Sequence, residues 1–331
     1  MSNFYLIAVS TIIFFSIYLN KEFIVKKTGL VDAPDKKLKN HKKNTPVIGG
    51  VVFGLVAILI LVTSIYTNYT KNILFIKILL LSLACSVIGV IDDIQKIRPT
   101  PKFFFTTLIL LIFLILFPEL RIKQITFSDD FFIKNLNIEN KLLLSIAITI
   151  LCYQLLIHAF NMADGHDGIA SLMAITWLVY IYFTKNNFQL LVPFITLLLL
   201  FIYFNLKSKI FLGDSGNYFL STLLASLIIL NNNNDKNFLA EEIFIILMLP
   251  GIDMLRLFFV RIKNKKNPLI GDTKHLHHLL FKKFNKNITT LIYFLLFITP
   301  IFFFYFKIFS ENYIITIFLV IYVLIISKLI K

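Results

Sequence analysis

Asn161-Met-Ala-Asp-Gly-His-Asp-Gly168 sets two carboxylates, Asp164 and Asp167, between two apolar runs, Leu142–Ile157 and Ile169–Phe183. A carboxylate at the centre of a membrane-spanning helix costs about 2.5–3.5 kcal/mol by insertion scales. A polar knot between two such runs therefore belongs at a membrane edge or in a water-filled cavity. A second reading is a helix–turn–helix corner, with Asp167 as N-cap of the next helix and Gly165 supplying the turn.

Outward from this stretch the chain stays apolar. Of its 331 residues 58% are hydrophobic and the mean hydropathy is +0.82, against about 45–50% apolar in a soluble domain. The runs are long and do not alternate, so they predict helices. Candidate spans are 4–20, 47–67, 73–91, 103–117, 142–158, 169–184, 188–205, 215–230, 240–260, 288–309 and 312–328. That makes about eleven transmembrane helices, each near the ~20 residues that a ~30 Å hydrocarbon core needs. The whole chain, 1–331, reads as a single all-α polytopic membrane domain without internal repeats. Cys85 and Cys152 lie in apolar runs and read as buried, inert thiols. A net charge of +15 would suggest nucleic acid in a soluble protein. Here the positive-inside rule accounts for it, and no nucleic-acid partner is expected.

The first span lacks a basic leader and a small-residue cleavage site, and Lys21, Lys26 and Lys27 follow it. It reads as an uncleaved anchor with the N-terminus outside. Segments 21–46, 92–102, 158–168, 206–214, 261–287 and the C-terminal tail are then cytoplasmic. Counting Arg256 with the fifth of these, they take about 24 of the 33 Lys and Arg. The longest external loop, about 118–141, is patterned like a small β-hairpin near 121–135. Asn231–Asn234 and Asp235 predict a polar external turn.

Every acidic or histidine cluster falls on the cytoplasmic side of this scheme. Lysines flank His41, with Lys42 and Lys43 after it, ahead of Pro46 and Gly49-Gly50. This loop reads as a lid that gathers phosphates, or as a solvated basic loop attracting anionic lipid. Gly89-Val-Ile-Asp-Asp93 closes the third span, with Lys96 and Lys102 beyond. Adjacent carboxylates repel, and a divalent cation or a nearby lysine removes that cost. Asp214, in Phe211-Leu-Gly-Asp-Ser-Gly216, precedes the eighth span as N-cap or as a metal ligand bridging a diphosphate. Asp253 and Arg256 are spaced to pair within the ninth span.

The richest loop holds Arg261, Lys263, Lys265 and Lys266, then His275-Leu-His-His278. His275 and His278 are spaced to share a helix face, with His277 pointing elsewhere. Phosphate contact suits the cluster better than zinc, since no cysteine accompanies it. Carboxylates able to hold Mg²⁺, a ring of Lys, Arg and His, and glycine-rich turns suit phosphoryl transfer on a charged donor. Neither GxxxxGK nor GxGxxG is present. A cation-coupled transporter would set its acids near the membrane midplane, where only Asp253 comes close.

In this order the motifs resemble the polyprenyl-phosphate N-acetylhexosamine-1-phosphate transferases of glycosyltransferase family 4. The matching pieces are His41 with Thr45-Pro46 and Gly49-Gly50; Gly89–Asp93; Asn161–Ala170; Phe211–Gly216; and Pro250-Gly-Ile-Asp-Met-Leu-Arg256 leading to His275–His278. The resemblance implies a multi-pass enzyme of the bacterial inner membrane with a cytoplasmic active site. It would transfer a sugar 1-phosphate from a UDP-sugar to undecaprenyl phosphate and release UMP. That is the first membrane step of a cell-envelope polysaccharide such as lipopolysaccharide. Mg²⁺, replaceable by Mn²⁺, would be held by Asp214 and Asp93.

On that resemblance the candidate catalytic residues are Asp92, Asp93, Asp214, His275, His277 and His278. The candidate substrate residues are His41, Lys42, Lys43, Lys96, Lys102, Asn161, Asp164, Asp167, Asn205 and Phe211, with Phe211 stacking on uracil. His-Leu-His-His is more like the GlcNAc-1-phosphate branch than the phospho-MurNAc-pentapeptide branch, which stays the alternative. Gly271-Asp-Thr-Lys274 departs from the Pro-Asp-Arg-Asn type of run that the family sets near the sugar. The sugar's identity is left open, as is a homodimer.

Overall fold

A bilayer offers no water to the backbone, so a long apolar run satisfies its own N–H and C=O groups by coiling. The computed structural model describes residues 3–34, 44–66, 73–128, 134–164, 168–186, 189–233, 238–267 and 273–330. Its helices are α1 (Asn3–Leu19), α2 (Lys21–Thr28), α3 (Gly49–Tyr66), α4 (Ile73–Gln95), α5 (Pro99–Leu116), α6 (Leu142–Ala163), α7 (Ile169–Ile181), α8 (Val192–Asn205), α9 (Gly213–Asn233), α10 (Ala240–Lys263), α11 (Leu276–Lys283), α12 (Lys286–Tyr305) and α13 (Glu311–Ile330). Each apolar run read from the sequence lies on one of them.

Among the described residues seven helices are long and apolar enough to cross a membrane: α3, α4, α5, α6, α10, α12 and α13. The pair α1 and α2, bent by 67°, makes an eighth if taken as one span. The remaining expected spans are of two kinds. α7 and α8 are apolar but shorter. α9 has the length, 21 residues, but carries Asp214, Ser215 and Asn217 at one end and Asn231–Asn233 at the other. It tolerates them because Ser215 to Asn232 are all buried. α9 is the central helix, wrapped by α3, α4, α6 and α7, so protein surrounds it on nearly every side. Gly50 on α3 and Gly89 on α4 permit the approach, since a Cβ at either would collide with Ser215.

Inside α10, Pro250 has no N–H to donate, so the carbonyl of Ile246 loses its helical partner. Trp177 on α7 replaces it: the buried indole Nε1 donates to the Ile246 carbonyl at 2.7 Å. An unpaired carbonyl in an apolar bundle would otherwise cost about 1–3 kcal/mol.

The C-terminal end of α9 carries the expected hairpin. Strand β3 (Gln124–Thr126) pairs antiparallel with β4 (Asn135–Asn137), Ile125 opposite Leu136. The asparagines expected as an external turn are instead, from Asn231 to Asn233, the last turn of α9. Asn232 donates to the Gln124 carbonyl and Asn233 to the Arg121 carbonyl, each at 2.6 Å. Asn234 and Asp235 lie outside the described residues. Nearby, Lys77 bonds Glu119 at 2.8 Å and holds that half-buried carboxyl below its ordinary range.

The opposite end collects the polar motifs. At about 1.5 Å per residue, the 21 residues of α9 put its two ends about 30 Å apart, one hydrocarbon thickness. A second ribbon, Val31–Asp32 against Thr45–Pro46, lies at this end. Strands of two residues leave no periodic trace, and the sequence did not suggest them.

Candidate functional site

Asp92 and Asp93 occupy the last turn of α4, each 5% exposed. They turn to different partners. Asp93 reaches the first turn of α9: Oδ1 accepts from the Asp214 N–H at 2.9 Å, Oδ2 from the Ser215 N–H at 3.1 Å and its hydroxyl at 2.7 Å. A helix start leaves its first N–H groups without partners, and an anion is the strongest acceptor for them. Asp214 is therefore not the N-cap; α9 begins at Gly213 and its start is capped from α4. Gly213 takes φ +74°, and a Cβ there would collide with Val47 and Asp93.

Asp92 Oδ1 accepts from the Ile97 N–H at 2.7 Å. Its Oδ2 lies 2.7 Å from Lys102 Nζ, which also bonds Asp214 Oδ2 at 2.8 Å. One ammonium thus sits between carboxylates from α4 and α9. The repulsion within the Asp-Asp pair is relieved by Lys102 on one side and the N-terminus of α9 on the other. Lys96 follows in a left-handed turn, φ 54°.

One helical turn on from Asp214, Asn217 donates to Asn161 Oδ1 at 3.1 Å and to Asp164 Oδ2 at 2.8 Å. Residues three apart share a helix face, so Asp164 and Asp214 gather around one turn of α9. Asn205 is engaged with the fold. Its Oδ1 accepts from the Gly168 N–H at 2.9 Å and the Ser171 hydroxyl at 3.0 Å, and its Nδ2 donates to the Ile210 carbonyl at 2.8 Å. It ties the end of α8 to the start of α7. Phe211 is half-buried, and its carbonyl accepts from the N–H groups of Ile48 and Gly49 at 3.2 Å. His41, Lys42, Lys43 and Asp167 lie outside the described residues.

The histidines form a second group, on α10, α11 and α13. His275 is the N-cap of α11 and is 3% exposed. Its Nδ1 bonds Asp253 Oδ2 at 2.8 Å, and the same oxygen accepts from the Leu276 N–H at 3.1 Å. Asp253 Oδ1 accepts from Arg256 at 2.8 Å, the pair expected from the spacing, and from the Tyr322 hydroxyl at 2.7 Å. His277 does not point away. Its ring stacks on His275, centroids 5.8 Å apart and planes within 7°, and lies 4.2 Å from the His278 ring. Helical spacing misleads here because His275 is the cap and stands outside the helix. His278 is the half-exposed member. α12 links the two groups, with Thr290 near Gly168 and Tyr293 against His277. Tyr322 was not legible as a site residue, since it is one more aromatic in an apolar run.

Among the described residues no three His, Cys, Asp or Glu side chains converge on one cation position. Mg²⁺ needs only one or two protein carboxylates, with phosphate and water completing its shell. Asp92 and Asp214 fit that requirement, since an ammonium already lies within 2.8 Å of both. Asp93 has both oxygens bonded to α9.

A groove of about 400 Å³ runs between α6, α9 and α10. Its walls are almost wholly apolar, from Ile122 and Asn232 at the hairpin end to Ala159 and Met254 at the other. Ala159 stands two residues before Asn161, and Met254 follows Asp253. Cys152, expected to be buried, is exposed on this groove, whereas Cys85 is buried.

The model of glycosyl transferase family 4 matches residues 75–232, which include Asp92, Asp93, Asn161, Asp164 and Asp214. The chain is similar to a probable undecaprenyl-phosphate N-acetylglucosaminyl 1-phosphate transferase of Bacillus subtilis, 27% identical over 78% of this chain and 71% of the relative. It is similar to a phospho-N-acetylmuramoyl-pentapeptide-transferase of Dictyoglomus thermophilum, 28% identical over 71% of this chain and 74% of the relative. A third relative is an undecaprenyl-phosphate alpha-N-acetylglucosaminyl 1-phosphate transferase of Thermotoga maritima, 25% identical over 81% and 78%. These matches bear out the resemblance carried by the motifs, in both of its branches.

Proposed function

We propose that this chain, read as a member of glycosyl transferase family 4, moves a sugar 1-phosphate from a UDP-sugar to undecaprenyl phosphate and releases UMP. The observation that carries the reading is the Asp92–Lys102–Asp214 bridge at the start of α9. It offers carboxylates for a cation and a cation for phosphate oxygens at one point. Asn161 and Asp164 lie one turn along α9 for the nucleotide, and the apolar groove starts beside them for the polyprenyl chain.

Asp214 and Asp92 would hold Mg²⁺. When bound, the ion would neutralise diphosphate charge as UMP departs. Lys102 supplies a second positive charge to the non-bridging oxygens. The lipid phosphate has a second pKa near 6, as phosphoserine does, so it is largely dianionic at neutral pH. A strong base is then unnecessary and alignment matters more. An oxygen of the lipid phosphate attacks the β-phosphorus, the bond from that phosphorus to the bridging oxygen breaks, and UMP leaves with the electron pair. His278, the half-exposed member of the second group, would bind phosphate oxygens, as the resemblance implies.

The charge balance supports a cytoplasmic motif-bearing end, with the apolar segments crossing the bacterial inner membrane from an external N-terminus. His-Leu-His-His favours a GlcNAc-type sugar. Similarity to phospho-N-acetylmuramoyl-pentapeptide-transferases keeps the peptidoglycan substrate as the second reading.

The test is purified protein with undecaprenyl phosphate and a panel of UDP-sugars, with UMP measured with and without Mg²⁺. UMP release is expected with the metal, and Asp214→Asn should abolish it while the protein still inserts and folds. Near wild-type turnover in that variant would remove Asp214 from the site. No UMP from any sugar would overturn the reaction.

A further inference from the structure

Asp253 is 3% exposed inside the bundle, and the reaction described above does not use it. A carboxylate in such a place is tolerated only when its oxygens are satisfied. Its partners come from three elements: Arg256 on its own helix, Tyr322 on α13, and His275 with the Leu276 N–H at the start of α11. The other ring nitrogen of His275, Nε2, lies 3.5 Å from an Arg261 guanidinium nitrogen. A guanidinium only donates, so Nε2 faces it as acceptor and the Nδ1 proton points at Asp253. Both nitrogens of His275 are thus turned to protein groups.

The same connections hold the helix that follows. Arg256 donates to the Lys274 carbonyl at 2.7 Å, just before His275. At the far end of α11, Lys283 donates to the Lys328 carbonyl of α13 at 2.6 Å. The last helix therefore holds the C-terminal end of α11 directly, and reaches its N-terminal end only through Asp253 on α10.

We propose that Asp253 and Tyr322 are positioning residues for the transfer, acting through His275. They fix the His275 ring and the N-terminus of α11, and so set the His277–His278 pair against the sugar diphosphate. The proposal rests on the transferase reading for its substrate, and it gives His275 a supporting place and α13 a part in the site.

The test is a double-mutant cycle on the full chain, with Asp253→Asn, His275→Gln and their combination, and with Tyr322→Phe beside them. Loss of a partner that orients a working group typically costs 10–100-fold, so kcat for UMP release should fall about 10–100-fold in Asp253→Asn with KM for the UDP-sugar within about 3-fold. Tyr322→Phe should lose less, in the same direction. The double variant should lose no more than His275→Gln alone. Losses that multiply, or a kcat within about 2-fold of wild type in both Asp253→Asn and Tyr322→Phe, would overturn the proposal. If Asp253→Asn does not fold, Tyr322→Phe keeps the carboxylate and decides alone.

Diethyl pyrocarbonate labelling, read by mass spectrometry, gives a readout without turnover. His275 should resist labelling in the wild type and in Asp214→Asn, and should label in Asp253→Asn. Equal protection in all three would mean that Asp253 does not hold the ring. A wild type that makes no UMP but shows the expected labelling would sink the transfer reaction and leave Asp253 as the anchor of His275.

Discussion

Asp93 bonds Ser215 twice, through the N–H at 3.1 Å and the hydroxyl at 2.7 Å, across 122 positions of sequence. With the Asp214 N–H as a third donor, the end of α4 is pinned to the start of the central helix. Asp93→Asn replaces one acceptor oxygen by an NH₂ that faces donors. A buried donor left unpaired costs about 1–3 kcal/mol, and the denaturation midpoint in detergent should fall accordingly. An unchanged midpoint would show that the cap carries no stability.

Lys102 separates two carboxylates. In Lys102→Gln, Asp92 and Asp214 face each other without that charge, so the variant should be destabilised in EDTA and recover in Mg²⁺ more than the wild type does. Melting both proteins with and without the ion measures this. An equal response to Mg²⁺ in the two would mean that these carboxylates are not a cation position.

Trp177→Phe removes the donor that serves the Ile246 carbonyl, and should cost about 1–3 kcal/mol from that group alone. Pro250→Ala restores a backbone N–H at the position four residues on. The second change should therefore harm the Trp177→Phe background less than the wild type, with a coupling of about 0.5–3 kcal/mol. Strict additivity of the two midpoints would refute the link.

Gly89→Ala would press a methyl group into the backbone at Asp214 and Ser215. Overpacking costs about 1–3 kcal/mol, and here the displaced residue is Asp214, so UMP release should fall together with stability. Gly54→Ala is the control, since its Cβ would meet only Leu83 at an ordinary 3.7 Å. Parallel behaviour of the two variants would contradict the close contact.

The groove has its own signature in kinetics. Ala225 faces it from α9, and Ala225→Phe would fill part of its volume. KM for undecaprenyl phosphate should rise about 10-fold, with KM for the UDP-sugar within about 2-fold. A rise in the nucleotide-sugar KM alone would place the lipid elsewhere.

Local composition settles how each piece of this chain coils, because backbone groups in a bilayer must be satisfied within their own segment. The apolar runs, a hairpin near 121–135, the Asp253–Arg256 pair and the family motifs were all visible one residue after another. Partners chosen by packing were not. Nothing in the spacing links Asp93 to Ser215, Lys102 to Asp214, or Tyr322 to Asp253, and each pair is joined only when separate helices come side by side. The same holds for α9: its polar ends read as loop signals, and they become helix because neighbouring segments of the same chain satisfy them. A carboxylate takes the donor that the assembled bundle brings within 3 Å or so, and sequence distance has no bearing on which donor that is.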